Sequence, residues 1–175
     1  SLLVALAIPL AVGGAGALLS GGMTNYGAMV KPPLSPPGWV FPVVWTVLYA
    51  VMGISAYLVH SADAPEDKKR AALRVYWAQL AVNFSWSIVF FRFEAFWGAF
   101  AVILLLLALI IAMLVSFGRV RRLAAYINIP YLLWVMFAAY LNLSVAILYC
   151  SCNRVLNCQG IIFIKQRRVI RGHKL

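Results

Sequence analysis

Charge is what this sequence has least of. Only 11% of its 175 residues are charged, and only four are acidic. Soluble domains carry about 25% charged residues, and a chain this short has too much surface for so few charges to keep it dispersed in water. That excludes an ordinary soluble enzyme, and the high apolar content excludes a disordered chain. Cysteine is scarce at three residues, which excludes a disulfide-rich secreted module. There are two histidines, His60 and His173, and no acid lies well inside an apolar stretch. A proton relay, a carboxylate pair and a Ser-His-Asp set therefore have no candidates. Cys150, Cys152 and Cys158 have poor zinc spacing and no nearby histidine, so no metal site is expected and the thiols are read as free.

Apolar residues are what is present: 65% of the chain, with a mean hydropathy of +0.93. Charge-free runs cover residues 1–30, 32–62, 75–91, 95–117 and 123–153. A helix crossing the hydrocarbon needs roughly 20 apolar residues, with a range of about 17–25. In lipid the backbone must satisfy its own hydrogen bonds, which favours helices. A barrel would need a polar–apolar alternation that Val102–Ile111 lacks. The expected fold is an all-α membrane protein, a bundle of five transmembrane helices over 2–20, 41–60, 73–91, 96–117 and 126–149. The first run has no basic start and is read as a true span rather than a signal peptide. There is no internal repeat, and the segments are too few and too unlike for an inverted-repeat transporter.

The net charge of +11 divides into +5 over residues 1–149 and +6 over residues 150–175. The chain is accordingly read as a five-helix domain, 1–149, followed by a basic tail, 150–175. The tail has six Lys/Arg, no acid and no span-length apolar run. It is expected to be flexible or to lie on a lipid surface, with membrane lipid and not nucleic acid as the partner. Seven Lys/Arg fall on the side of the N-terminus and eight on the other side when the tail is counted, so the positive-inside rule gives no orientation.

Three stretches carry the chemistry. Lys31-Pro-Pro-Leu-Ser-Pro-Pro-Gly-Trp39 is proline-dense and stiff, ahead of the second span. It reads either as a lid over the bundle or as a rigid connector with Trp39 in the interfacial belt. In the third span Gln79, Asn83 and Trp86 share one helical face by their i, i+4, i+7 spacing. They are either interhelical hydrogen-bond glue or polar handles for a ligand. In the fifth span Trp134, Ala138 and Leu141 share a face, and a large ring beside a small residue leaves a recess. Pro130 is expected to bend or start that helix. The 24 aromatic residues suit flat apolar ligands but also serve as core filler. Val145, Tyr149 and Arg154 fit the loose cholesterol-contact pattern.

Together these motifs resemble the translocator protein family, also called the peripheral benzodiazepine receptor or tryptophan-rich sensory protein (TspO/MBR) family. The marks are Lys31-Pro32…Pro36-Pro37-Gly-Trp39, Val44-Trp45-Thr-Val-Leu-Tyr49 with Gly53, Gln79-Leu-Ala-Val-Asn83-Phe-Ser-Trp86, and Pro130-Tyr131-Leu-Leu-Trp134…Ala138…Leu141-Asn142. The resemblance covers roughly residues 1–148 and implies a five-helix bundle whose Pro-rich 1–2 loop closes a ligand cavity. It implies binding of porphyrin or haem as ligand, with sterol and isoquinoline carboxamide or benzodiazepine drugs as further ligands, and a homodimer. No obligatory cofactor is implied. Carried over by motif position, the cavity residues are Trp39, Trp45, Tyr49, Asn83, Trp86, Trp97, Trp134, Ala138 and Leu141. Trp45 and Trp134 match a tryptophan pair that would be the redox partners if porphyrin breakdown is photochemical; no catalytic group for thermal chemistry is expected. Binding, photochemical turnover and transport are thus the three functions in view. The wording of the proline stretch resembles the bacterial branch, implying a bacterial membrane, or the mitochondrial outer membrane if the source is eukaryotic. The sequence departs from animal members after Asn142, where Leu143-Ser144 stands in place of the sterol motif's aromatic, and the tail from about Tyr149 matches nothing in the family.

Overall fold

A computed structural model describes residues 1–19 and 34–172, those after 150 as helix backbone only. Six helices and no strand are found among the described residues: α1 Leu2–Leu19, α2 Val40–His60, α3 Glu66–Phe91, α4 Phe96–Val120, the short α5 Arg122–Tyr126 and α6 Ile129–Gly172. The five long ones are the expected bundle. Of the predicted lid, Lys31, Pro32 and Pro33 lie outside the described residues, and residues 34–39 lead into α2.

α1, α2, α4 and the stretch Arg122–Cys150 are long and apolar enough to cross a membrane. α3 is the polar one. It starts seven residues before the predicted span, and its first turn carries Glu66 and Asp67, which suit the positive end of the helix dipole. Lys69 Nζ lies 2.6 Å from the Glu66 carboxylate. That hydrogen bond, and then the lysine charge, hold the Glu66 carboxyl below its usual range. Further along, α3 turns Tyr76, Gln79, Asn83, Trp86 and Phe90 inward.

The molecule therefore places its few uncharged polar groups inside an otherwise apolar core and leaves large apolar side chains outside. Gln79, Asn83 and Asn142 are fully buried, whereas Leu3, Val47, Leu104, Ile111 and Leu133 are exposed. With lipid as the solvent, apolar side chains gain nothing by hiding, and buried amides hold helices together. α4 contributes an all-apolar stripe to the core, Ala99, Ile103, Leu106, Ile110, Met113 and Phe117, a 3.5-residue spacing that keeps one seam inward.

The helices meet closely where side chains are small. Gly53 of α2 sits against the α1 backbone; a Cβ there would lie 2.5 Å from the Ala5 carbonyl oxygen and 2.9 Å from Leu6 Cα. The α3–α4 turn is tight, with Glu94 at φ 49°. Arg92 Nη1 donates to the Leu19 carbonyl at 3.1 Å, tying this turn to the end of α1. Extended backbone at Arg121 breaks α4 from α5. Pro130 falls in the first turn of α6 and starts it, where a missing N–H costs least. α6 then runs to Gly172, so the division at 149/150 is one of composition, with no break in the helix.

Candidate aromatic ligand site

The site is built by α2, α3 and α6. α2 places Phe41, Trp45 and Tyr49 one turn apart on its inner face. The Trp45 ring lies 5.5 Å from Tyr49 and 6.3 Å from Trp86 of α3, both tilted. It meets Tyr131 of α6 at 6.4 Å, edge-on at 68°. One turn away, Trp134 of α6 meets Phe41 at 5.9 Å, also edge-on. Offset and edge-to-face geometries are the ones ring quadrupoles prefer, worth about 0.5–1.5 kcal/mol per pair beyond area.

A buried hydrogen-bond chain backs these rings. Tyr49 donates its hydroxyl to Asn83 Oδ1 at 3.3 Å. Asn83 Nδ2 donates to the Tyr131 hydroxyl at 2.9 Å, and that hydroxyl donates to Gln79 Oε1 at 2.8 Å. Gln79 Nε2 reaches Met52 Sδ at 3.6 Å. A second pair fixes Trp86: its Nε1 donates to Asn142 Oδ1 at 3.2 Å, while Asn142 Nδ2 donates to the Phe96 carbonyl at 2.9 Å. Among the described residues two buried side-chain atoms have no partner, Trp134 Nε1 and Asn128 Oδ1. An indole N–H with nothing to donate to is a ready donor for a guest.

Of the residues singled out from sequence, Trp45, Tyr49, Asn83 and Trp86 come together directly. Trp134 joins them through α6, and Ala138 and Leu141 are buried on its face. Trp39, at the start of α2, is 68% exposed, and Trp97, at the start of α4, is 55% exposed with its ring against Phe100. Neither has a described ring contact to the Trp45 cluster. Tyr131, Gln79 and Phe41 were not among the predicted cavity residues. The sequence marks Gln79 as glue or a polar handle on the face of Asn83, while for the other two the signal is spacing alone: Tyr131 precedes Trp134 by three positions and Phe41 precedes Trp45 by four. Val145, from the cholesterol-type pattern, is buried, and Tyr149 packs on Phe96 at 4.7 Å. Arg154 lies beyond the side chains described. Cys150 is exposed and unpaired, and no group of three or more potential metal ligands is found among the described residues.

Residues 5–148 match the TspO/MBR family. The chain belongs to that family. It is 33% identical over 147 residues to the tryptophan-rich protein TspO of Chlorobaculum tepidum, covering 83% of this chain and 93% of that one. It is 39% identical over 134 residues to protein CrtK of Rhodobacter capsulatus, with 76% and 82% covered. To the human translocator protein it is 35% identical over 125 residues, with 71% and 74% covered. The family match ends at residue 148, close to where the basic tail begins. The chain is thus an integral membrane protein of the TspO/MBR family. Two apolar recesses of about 230 and 560 Å³ flank α1 and share Trp77 as a wall; neither is lined by Trp45 or Trp134.

Proposed function

We propose that this protein binds flat, apolar, ring-rich molecules of the porphyrin or haem class within the bundle, as a homodimer in the membrane. The observation that carries the reading is the ring cluster around Trp45, Tyr49, Trp86 and Tyr131 beside the unpartnered Trp134 indole N–H. Stacking faces and one free donor suit a macrocycle with peripheral acceptor oxygens. Sterol and isoquinoline carboxamide or benzodiazepine drugs offer the same combination of apolar area and few polar groups. The Chlorobaculum TspO and Rhodobacter CrtK relatives support a bacterial membrane as the location, with the mitochondrial outer membrane as the alternative in view of the animal translocator proteins.

Quenching of tryptophan fluorescence by protoporphyrin tests the site. Trp134→Ala and Trp45→Ala are each expected to weaken binding about tenfold, or about 1.4 kcal/mol. Unchanged affinity in both variants contradicts the assignment. A panel of haem, protoporphyrin, sterol and an isoquinoline carboxamide ranks the ligand classes.

A second reading is photochemical breakdown of bound porphyrin, with Trp45 and Trp134 as redox partners. The ring contacts of Trp45 with Trp86 and Tyr131 favour it, because neighbouring oxidisable rings share a radical. Absorbance loss in the light, in the presence of oxygen, but not in the dark supports turnover. Transport of the same ligands is tested by flux into proteoliposomes.

A further inference from the structure

The residue that organises the aromatic site is one its tryptophans do not reveal. We propose that Tyr131 is a positioning residue: it fixes the Trp45 indole from behind and so sets how well a flat ligand stacks there. This rests on the reading that Trp45 supplies a stacking face.

Tyr131 is completely buried. Its ring meets Trp45 in a T-shaped arrangement, with centroids 6.4 Å apart. Its hydroxyl is held on both sides by α3, accepting from Asn83 Nδ2 at 2.9 Å and donating to Gln79 Oε1 at 2.8 Å. Asn83 is in turn clamped by the Tyr49 hydroxyl at 3.3 Å, and the Tyr49 ring also contacts Trp45, at 5.5 Å. Two rings that contact Trp45 are therefore tied to the same amide. Only a side chain with an aromatic ring and a group that both donates and accepts fits position 131. Without the hydroxyl, the Asn83 N–H and Gln79 oxygen lose their partner in a water-poor interior, and the amide is free to turn.

The chain also decides what α3 offers a guest. Gln79 Oε1 and Nε2, Asn83 Oδ1 and one hydrogen of Asn83 Nδ2 are engaged within the protein. The Trp45 side of the site therefore selects for ring area, whereas the Trp134 N–H selects for an acceptor.

The test is Tyr131→Phe, which keeps the ring and deletes the hydroxyl, made in the native chain and in a Trp45→Phe background. The difference in near-ultraviolet circular dichroism between the two backgrounds isolates the Trp45 band, read without ligand and well below the unfolding temperature. Positioning predicts that Tyr131→Phe loses most of that band and weakens protoporphyrin binding about fivefold. A purely space-filling role predicts that Phe preserves both, and that result overturns the proposal. Gln79→Met removes the acceptor for the Tyr131 hydroxyl, together with the Nε2 contact to Met52, but leaves the Asn83–Tyr131 bond in place; it is expected to change band and affinity in the same direction, more weakly. It decides the matter if Tyr131→Phe does not fold; an unchanged band and affinity there also overturn the proposal. Because the Trp45 band is read without ligand, a native protein that binds no porphyrin sinks the binding reading while the positioning role is still decided.

Discussion

Single side chains divide here into those that hold the bundle and those left available. Asn142 belongs to the first kind. It receives the Trp86 N–H from α3 and donates to the Phe96 carbonyl at the start of α4, so one amide on α6 fastens both other helices. Interhelical hydrogen bonds in membranes average only about 0.6 kcal/mol. Asn142→Leu, however, leaves two groups unpaired together in the interior. It is expected to destabilise the bundle by about 1–2 kcal/mol, seen as a lower thermal midpoint in detergent, with Trp86 emission altered. Trp134 belongs to the second kind: its ring is packed on Phe41 and Phe137, but its N–H has no described partner. A buried N–H without a protein partner calls for one, and the proposed guest would supply it.

Among the elements, α3 carries the greatest conflict between composition and place. Six charged residues near its start, Glu66 to Arg70 and Arg74, together with the inner amides Gln79 and Asn83, make it the least apolar long helix, and partners on α2 and α6 make the burial of those amides favourable. α1 is the opposite case. It is apolar all round, buries only Pro9 and Gly16 among its own residues, and docks on α2 through backbone contact at Gly53. Gly53→Val forces a side chain against the Ala5 carbonyl and Leu6. Overpacking of this kind costs about 1–3 kcal/mol. The expected outcome is faster proteolysis of α1 in detergent, while the α3–α6 hydrogen bonds and the Trp45 near-ultraviolet band persist.

For the whole molecule, the charge deficit and the net charge tell separate stories. The deficit marks the bundle, which lies in lipid and has its described charges at links and helix ends. More than half of the +11 belongs to residues 150–175, past the end of the family match at 148. A chain ending at residue 149 keeps every hydrogen bond and ring contact of the site described above. Its protoporphyrin affinity is expected to stay within about twofold of the full chain. Its binding to anionic vesicles, measured by adding them to detergent-depleted protein, should weaken, because about 1 kcal/mol per basic residue near the surface is lost. A large loss of porphyrin affinity on truncation would show that the tail takes part in the site.

The sequence by itself determined the solvent, the number of long helices and most of their ends. Too few charges and five apolar runs leave helices in lipid as the only arrangement that satisfies the backbone. The shared face of Gln79, Asn83 and Trp86 follows from local geometry, since 3.6-residue spacing needs no partner, whereas the structure decided that Pro130 starts its helix rather than bending it. Tertiary structure alone decided what those polar residues meet. Spacing puts an amide on a face but does not say which helix stands opposite, so the meeting of Tyr131 with Asn83 and Gln79, 48 and 52 positions away, was not legible. Nor was the contrast between Trp86, whose N–H is taken by Asn142, and Trp134, whose N–H is left without a partner. Two tryptophans on inward faces read alike along the chain; packing alone made one a structural tie and the other a free donor.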